Sequence, residues 1–174
     1  TVNVAENQTA VTTVTSSDVD GGAALYTMVG GADAARFTID AATGVLSFNA
    51  APDFESPSDA GADNVYDLTV QVADGNGGTA TQAIAVTVSN VNEAPLITSA
   101  AAVSVAENQS GVVTVTSSDV DGGSPVYTIV GGADAALFSI DGATGVLTFN
   151  NAPDFEAPAD AGADNVYDVT SPDD

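Results

Sequence analysis

The sequence predicts an all-β chain: two seven-stranded antiparallel Greek-key sandwiches in tandem, the second truncated. Three observations lead there. Sliding the chain on itself by 101 residues aligns Val2–Thr69 with Val103–Thr170 at 52 identical positions of 68, so one structural unit occurs twice. Short runs of Val, Ile, Leu, Thr, Phe and Tyr alternate with polar residues at the period of a half-buried strand. These runs are bounded by Gly, Pro, Asn and Asp, and no segment shows the period of an amphipathic helix. Residues 1–94 form the first repeat; residues 95–174 form the second, whose last strands are missing.

The strands follow in order. Val2 and Val4 alternate with polar neighbours, and Val11–Thr15 is β-branched throughout. Asp18–Gly22 is a loop whose paired glycines supply unusual backbone angles. Leu25–Val29 is a third strand, ended by Gly30-Gly31, and Ala32–Ala35 has room for one helical turn. Phe37 and Ile39 lead into Asp40–Gly44, a turn with glycine where a left-handed residue is needed, and Val45–Phe48 returns. Ser56–Asn64 is a polar loop. Tyr66, Leu68, Val70 and Val72 make a long alternating strand. Asp74–Gly78 turns into the last one, Ala80–Val88. Seven strands in roughly 100 residues is the content of a sandwich, with Phe48 and Tyr66 assigned to its core.

The charge balance is unusual. The 174 residues include 24 acidic side chains against one basic residue, Arg36, with no His and no Cys. Nucleic acid and anionic lipid are excluded as partners, because nothing is present to neutralise phosphate. No run of about 18 apolar residues suggests direct membrane insertion. Catalysis is poorly served without His, Cys or Lys, so the protein is read as not an enzyme. Zinc, haem and iron–sulfur sites lack their ligands. Without Cys the compartment is undetermined. Arg36 is Leu137 in the second repeat and is given no role. The chain opens inside a strand-like pattern and is read as a piece of a longer protein.

The carboxylates have too few basic partners for ion pairing, so they either meet solvent or hold other cations. Hard oxygens alone favour calcium, which takes six to eight of them. Asp18 and Asp20 stand two apart in a glycine-rich turn, and Asp53 and Glu55 have the same spacing. Glu6 ends the first strand and Asp74 begins the last turn. In a seven-strand sandwich Glu6, Asp53 and Glu55 fall at one end, with Asp18, Asp20 and Asp74 at the other. The second repeat carries Glu107, Asp154, Glu156, Asp119 and Asp121 at matching positions. Between the repeats, Asn90-Val91-Asn92-Glu93-Ala94-Pro95 offers two amides, a carboxylate and a proline. Asp59, Asp63 and Asn64, repeated as Asp160, Asp164 and Asn165, are read as a solvated loop rather than a further cation site. Asn7-Gln8-Thr9 and Asn108-Gln109-Ser110 fit a glycosylation sequon.

This set of motifs resembles the cadherin repeat. Ala5-Glu6-Asn7 matches x-E-x, Asp53-Phe54-Glu55 matches D-R-E or D-Y-E, and Asp18-Val19-Asp20 matches D-x-D. Thr43-Gly44-Val45-Leu46 matches the T-G-x-L/I hairpin, and Ala73-Asp74-Gly75 approximates A-x-D-x-G. Asn90 to Pro95 approximates the linker D-x-N-D-N-x-P. The resemblance covers nearly the whole chain and implies about three calcium ions at the junction. Their ligands would be Glu6, Asp53 and Glu55, the side chains of Asn92 and Glu93, the carbonyls of Val91 and Ala94, and Asp119 with Asp121. The linker departs from the family pattern at Asn90, Glu93 and Ala94, and its proline comes one residue early. The counterpart of Asp74 would be residue 175, for which Asp173 or Asp174 is the available substitute.

The implied function is a calcium-rigidified structural or adhesive repeat of a large extracellular, cell-surface protein of the bacterial adhesin type. Its partners would be adjacent repeats of the same protein, or a homotypic partner. Two alternatives stand beside it. One is a carbohydrate-binding or accessory module of a secreted hydrolase, with a glycan as partner. The other is a fragment completed by strand exchange with a strand-completing partner.

Overall fold

The computed structural model describes residues 1–171, so the expectation for Asp173 and Asp174 lies outside the described residues. The chain divides into two compact units, Thr1–Asn92 and Glu93–Asp174. Both are built from β-strands, with single 3-10 turns at Ala34–Arg36 and Ala135–Leu137.

In the first unit all seven expected strands form. They are β1 (Val2–Ala5), β2 (Ala10–Thr13), β3 (Leu25–Gly30), β4 (Phe37–Ile39), β5 (Val45–Phe48), β6 (Val65–Ala73) and β7 (Thr79–Ser89). One sheet has the order β1-β7-β6-β3 and the other β2-β5-β4. Every pairing is antiparallel except β1 with β7, which run parallel with Val2 opposite Val86 and Ala5 opposite Ser89. That pairing brings the ends of the first and last strands to the same edge of the unit.

One core joins the two sheets. Tyr66, Leu68, Val70, Ile84, Val86 and Val88 face it from the first sheet, and Phe37, Leu46 and Phe48 from the second. The alternation of β6 and β7 thus reads directly as inside and outside. Phe37 stacks on Phe48 with ring centroids 4.4 Å apart, and Tyr66 meets Phe48 edge-on at 5.1 Å, the offset and edge geometries that aromatic quadrupoles favour. The β4–β5 turn is held by the Asp40 carboxylate, which accepts from the Ala42 and Thr43 amides and the Thr43 hydroxyl. Gly44 there has φ +72°, and a Cβ would run into the Val14 carbonyl oxygen, so glycine is required on both counts.

The second unit is less regular. Its strands are β8 (Leu96–Ile97), β9 (Gly111–Thr114), β10 (Ser117–Ser118), β11 (Phe138–Ile140) and β12 (Val146–Phe149). The sheet β11-β12-β9 reproduces β4-β5-β2 of the first unit, while β8 and β10 form a short separate pair. The aromatic trio recurs in Phe138, Phe149 and Tyr167. The copies of β1 and β3 do not form strands, although their sequences are close to the originals. The reason is pairing. At the offset of 101, the counterpart of β7 falls wholly past Asp174, and β7 is the strand to which β1 pairs and against which β6 lies. Only an isolated bridge, Gly131 to Thr170, remains of the β3–β6 ladder among the described residues. A groove of about 700 Å³ is lined by Val103, Val105, Phe138, Leu147, Tyr167 and their neighbours. The strand pattern is written into the residues; the ladder needs a partner.

Candidate metal centre

In the first unit the site is assembled where β1 and β7 end together and the chain leaves β5. Glu6 follows β1 and donates its amide to the Ser89 carbonyl at 3.1 Å, while Asn7, at φ +62°, donates to the Pro52 carbonyl at 3.0 Å. The Glu6 side chain is 3% exposed. Its two oxygens accept from the Val91 amide at 2.7 Å and the Phe54 amide at 2.8 Å. Asp53 accepts the Ser56 amide at 2.9 Å, and the Asn90 side-chain amide donates to Glu55 at 2.6 Å. The Glu6, Asp53 and Glu55 carboxylates each offer an oxygen, all within 4.8 Å of one another.

Three carboxylates that close repel. Two like charges 4 Å apart cost from about 1 kcal/mol in bulk water to about 4 at an effective dielectric of 20. Arg36 is the one basic side chain available to the whole sequence. A carboxylate has about four lone-pair positions, so the backbone donors on Glu6 leave capacity for a cation. A hard divalent ion with oxygen preference fits this donor set.

The same cluster recurs in the second unit: Glu107, Asp154 and Glu156 bring oxygens within 4.8 Å of one another. Glu107 accepts the Phe155 amide at 3.0 Å, and Asn108 donates to the Pro153 carbonyl. Unlike Glu6, Glu107 is exposed. The counterpart of Val91, which supplies Glu6 with its second donor, is not in the sequence.

The opposite end of the first unit holds the other expected acids. Asp74 accepts the Asn76 and Gly78 amides, and Asp18 accepts the Asp20 amide at 2.9 Å. The two loops lie together, since a Cβ on Gly22 would come 2.6 Å from the Asp74 carbonyl oxygen. They are separated from Glu6 by the length of β7, eleven residues or roughly 35 Å. Asp18 and Asp74 brace their turns through these bonds, and neither they nor Asp20 join the Glu6 cluster. In the second unit Asp119 accepts the Asp121 amide at 3.0 Å, and Asp121 accepts the Glu93 amide at 2.6 Å. This ties the linker residue Glu93 to the Asp119–Asp121 loop. Val91 reaches Glu6 through its amide. Asn92 and Ala94 lie in the irregular segment between β7 and β8.

Two features differ from the reading of the sequence. The Asp59–Asn64 loop is not simply solvated, because Asp59 is 7% exposed. Its oxygens accept the Asp63 amide at 3.1 Å and the Asn64 amide at 3.0 Å. Burial pushes its pKa up, but these donors outweigh that and hold the carboxyl below the ordinary range. Asp160 behaves alike. No group of three metal-ligating side chains gathers around Asp59 or Asp160 among the described residues. Secondly, Asp33, 4% exposed, passed unnoticed in the sequence. It accepts the Ala60 amide at 2.7 Å and the Asp67 amide at 2.9 Å, pinning the loop to the start of β6. Its recurrence as Asp134 was visible, but most residues recur in this duplication, so recurrence alone did not mark it.

The fold and site thus define a class: a small tandem β-sandwich with carboxylate clusters at strand ends. The Cadherin domain family matches residues 1–91, and the chain belongs to that family. It is an adhesive extracellular repeat of the cell-surface kind. Human protocadherin-24 EC1-2, form II, superposes with TM-score 0.57 at 22% identity, covering 90% of this chain and 76% of that one. Mouse cadherin-23 EC22-24 gives 0.52 at 21%, covering 89% and 52%. Halomucin of Haloquadratum walsbyi is 42% identical over 72 residues, which is 38% of this chain and 1% of halomucin's length. No helix among the described residues is long and apolar enough to cross a membrane.

Proposed function

We propose that this chain is a calcium-binding structural repeat of a large surface adhesin, rigidified by the ions it holds. The observation that carries the reading is the three-carboxylate cluster, present once in each unit with each set of oxygens within 4.8 Å. Glu6, Asp53 and Glu55 are its ligands in the first repeat, and Glu107, Asp154 and Glu156 their counterparts. Asn92 and Glu93 add side chains from the linker, Val91 and Ala94 carbonyls, and Asp119 and Asp121 the acids of the second repeat. Asp18, Asp20 and Asp74 form the equivalent loop set at the far end of the first repeat, toward a preceding module. The chemistry calcium supplies is charge compensation among carboxylates that otherwise repel. Held together by it, adjoining repeats lose freedom to move and a tandem array becomes a stiff spacer between neighbours of the same protein.

Calorimetric titration of calcium into the wild-type chain and into Glu93→Ala tests this. Saturable binding that Glu93→Ala weakens about tenfold is expected, on the scale of losing one charged ligand. No binding heat in the wild type would overturn the reading.

A further inference from the structure

We propose that the Asp59–Asn64 loop, with its copy Asp160–Asn165, is a positioning device for the carboxylate cluster, and that Asn64 is its working residue. Phe54 lies between Asp53 and Glu55, so the peptide groups on either side of it set where both carboxylates begin. Its amide donates to Glu6 at 2.8 Å, and its carbonyl accepts the Asn64 side-chain amide at 2.9 Å. Phe54 is therefore gripped at both ends, by a ligand on one side and by the loop on the other.

Asn64 is itself held. Its backbone is left-handed, φ +62°, a region Asn enters more readily than most residues. Its amide is fixed to buried Asp59, and the loop is anchored to β6 by buried Asp33 through Ala60 and Asp67. The carboxylates of Asp59 and Asp33 thus act on the backbone, the backbone places Asn64, and Asn64 places Phe54.

The second unit repeats the arrangement. Asn165 donates to the Phe155 carbonyl at 3.1 Å, and Phe155 donates to Glu107 at 3.0 Å. Asp160 accepts the Asn165 amide at 3.1 Å, and Asp134 accepts from Ala161 and Asp168. It does so although the sequence holds no counterpart of β7 and Glu107 is exposed. The grip on Phe155 is independent of the last strand, and a supporting residue of this kind orients ligands rather than touching the ion.

The inference rests on the calcium reading, and the experiment separates the two. In the full 174-residue chain, Asn64→Gly removes the donor while keeping the left-handed backbone unstrained and adding no charge. Ser58→Ala is the control, since Ala159 already occupies the matching position and Asn165 still holds the Phe155 carbonyl there. Two readouts are taken: calcium affinity by calorimetry, and hydrogen exchange of the Phe54 amide by NMR in calcium-free protein. Asn64→Gly is expected to weaken affinity about tenfold and speed Phe54 exchange, with Ser58→Ala matching wild type in both. Unchanged affinity and unchanged exchange overturn the inference. If the wild type binds no calcium, the functional reading falls, and the Phe54 exchange rate alone decides whether the loop holds this turn. Should Asn64→Gly fail to fold, Asn165→Gly, read at Phe155, makes the same test in the second unit.

Discussion

At the scale of single residues, the two repeats act as internal controls on one another. Ser58 lies 3.4 Å from the Tyr66 hydroxyl through both its amide and its side chain. The second repeat has Ala159 there, and the buried Tyr167 hydroxyl has no partner among the described residues. A buried polar group without a hydrogen bond costs roughly 1–3 kcal/mol. Tyr167→Phe is therefore expected to leave the second unit as stable as before, or more stable by up to about 1 kcal/mol. Tyr66→Phe should destabilise the first by about 0.5 kcal/mol. Urea unfolding of both variants checks the contrast, and a clear loss in Tyr167→Phe would count against it.

At the scale of elements, turns and loops rest on carboxylates whose titration is predictable. Asp40 and Asp141 are held below the ordinary range, the first chiefly by the Thr43 amide and the second chiefly by the Thr144 hydroxyl. Asp59 and Asp160 are lowered by the donors of their own loops despite burial. The sign follows from linkage. The unfolded chain takes up these protons first, at about pH 4, so their stabilisation is complete above that range. It is lost as pH falls through the lower folded values. A net charge of −23 works in the opposite direction, since acid relieves self-repulsion. The measurement is thus a difference between melting curves. Replacing Asp40 and Asp141 by Ser should lower the melting temperature at pH 7 and narrow the gap to wild type by about pH 2.5. A gap constant across that range would refute the assignment.

At the scale of the whole molecule, the proposed function predicts a response to calcium removal. With chelator the carboxylate clusters lose their compensation, so the melting temperature should fall by several degrees. The solution-scattering profile should broaden toward a more flexible ensemble. If both profiles are unchanged, the stiffening role is wrong even where calcium binds. The wild-type titration described above separates binding from stiffening.

Much of the fold was legible in the residues because strand periodicity is local. Tyr66, Leu68 and Val70 alternate in sequence and are buried in the structure, and Gly44 was readable from its turn. The carboxylate cluster was legible in part: Asp53 and Glu55 stand two apart, and Glu6 ends a strand. What the sequence by itself determined was the duplication, the positions of the seven strands along the first unit and the acids available for a cation. Only the tertiary structure decided the parallel β1–β7 pairing that buries Glu6 beside Val91 and Phe54. Likewise, only it turned Asp33 and Asp59 from polar loop residues into buried acceptors, and left the copies of β1 and β3 outside any strand. Asp59 finds its partners four and five residues on, within its own loop, but for Glu6 and Asp33 the physical reason is range. Hydrogen-bond partners 34 to 85 residues apart are set by which segments meet in the fold, and no local period records that meeting.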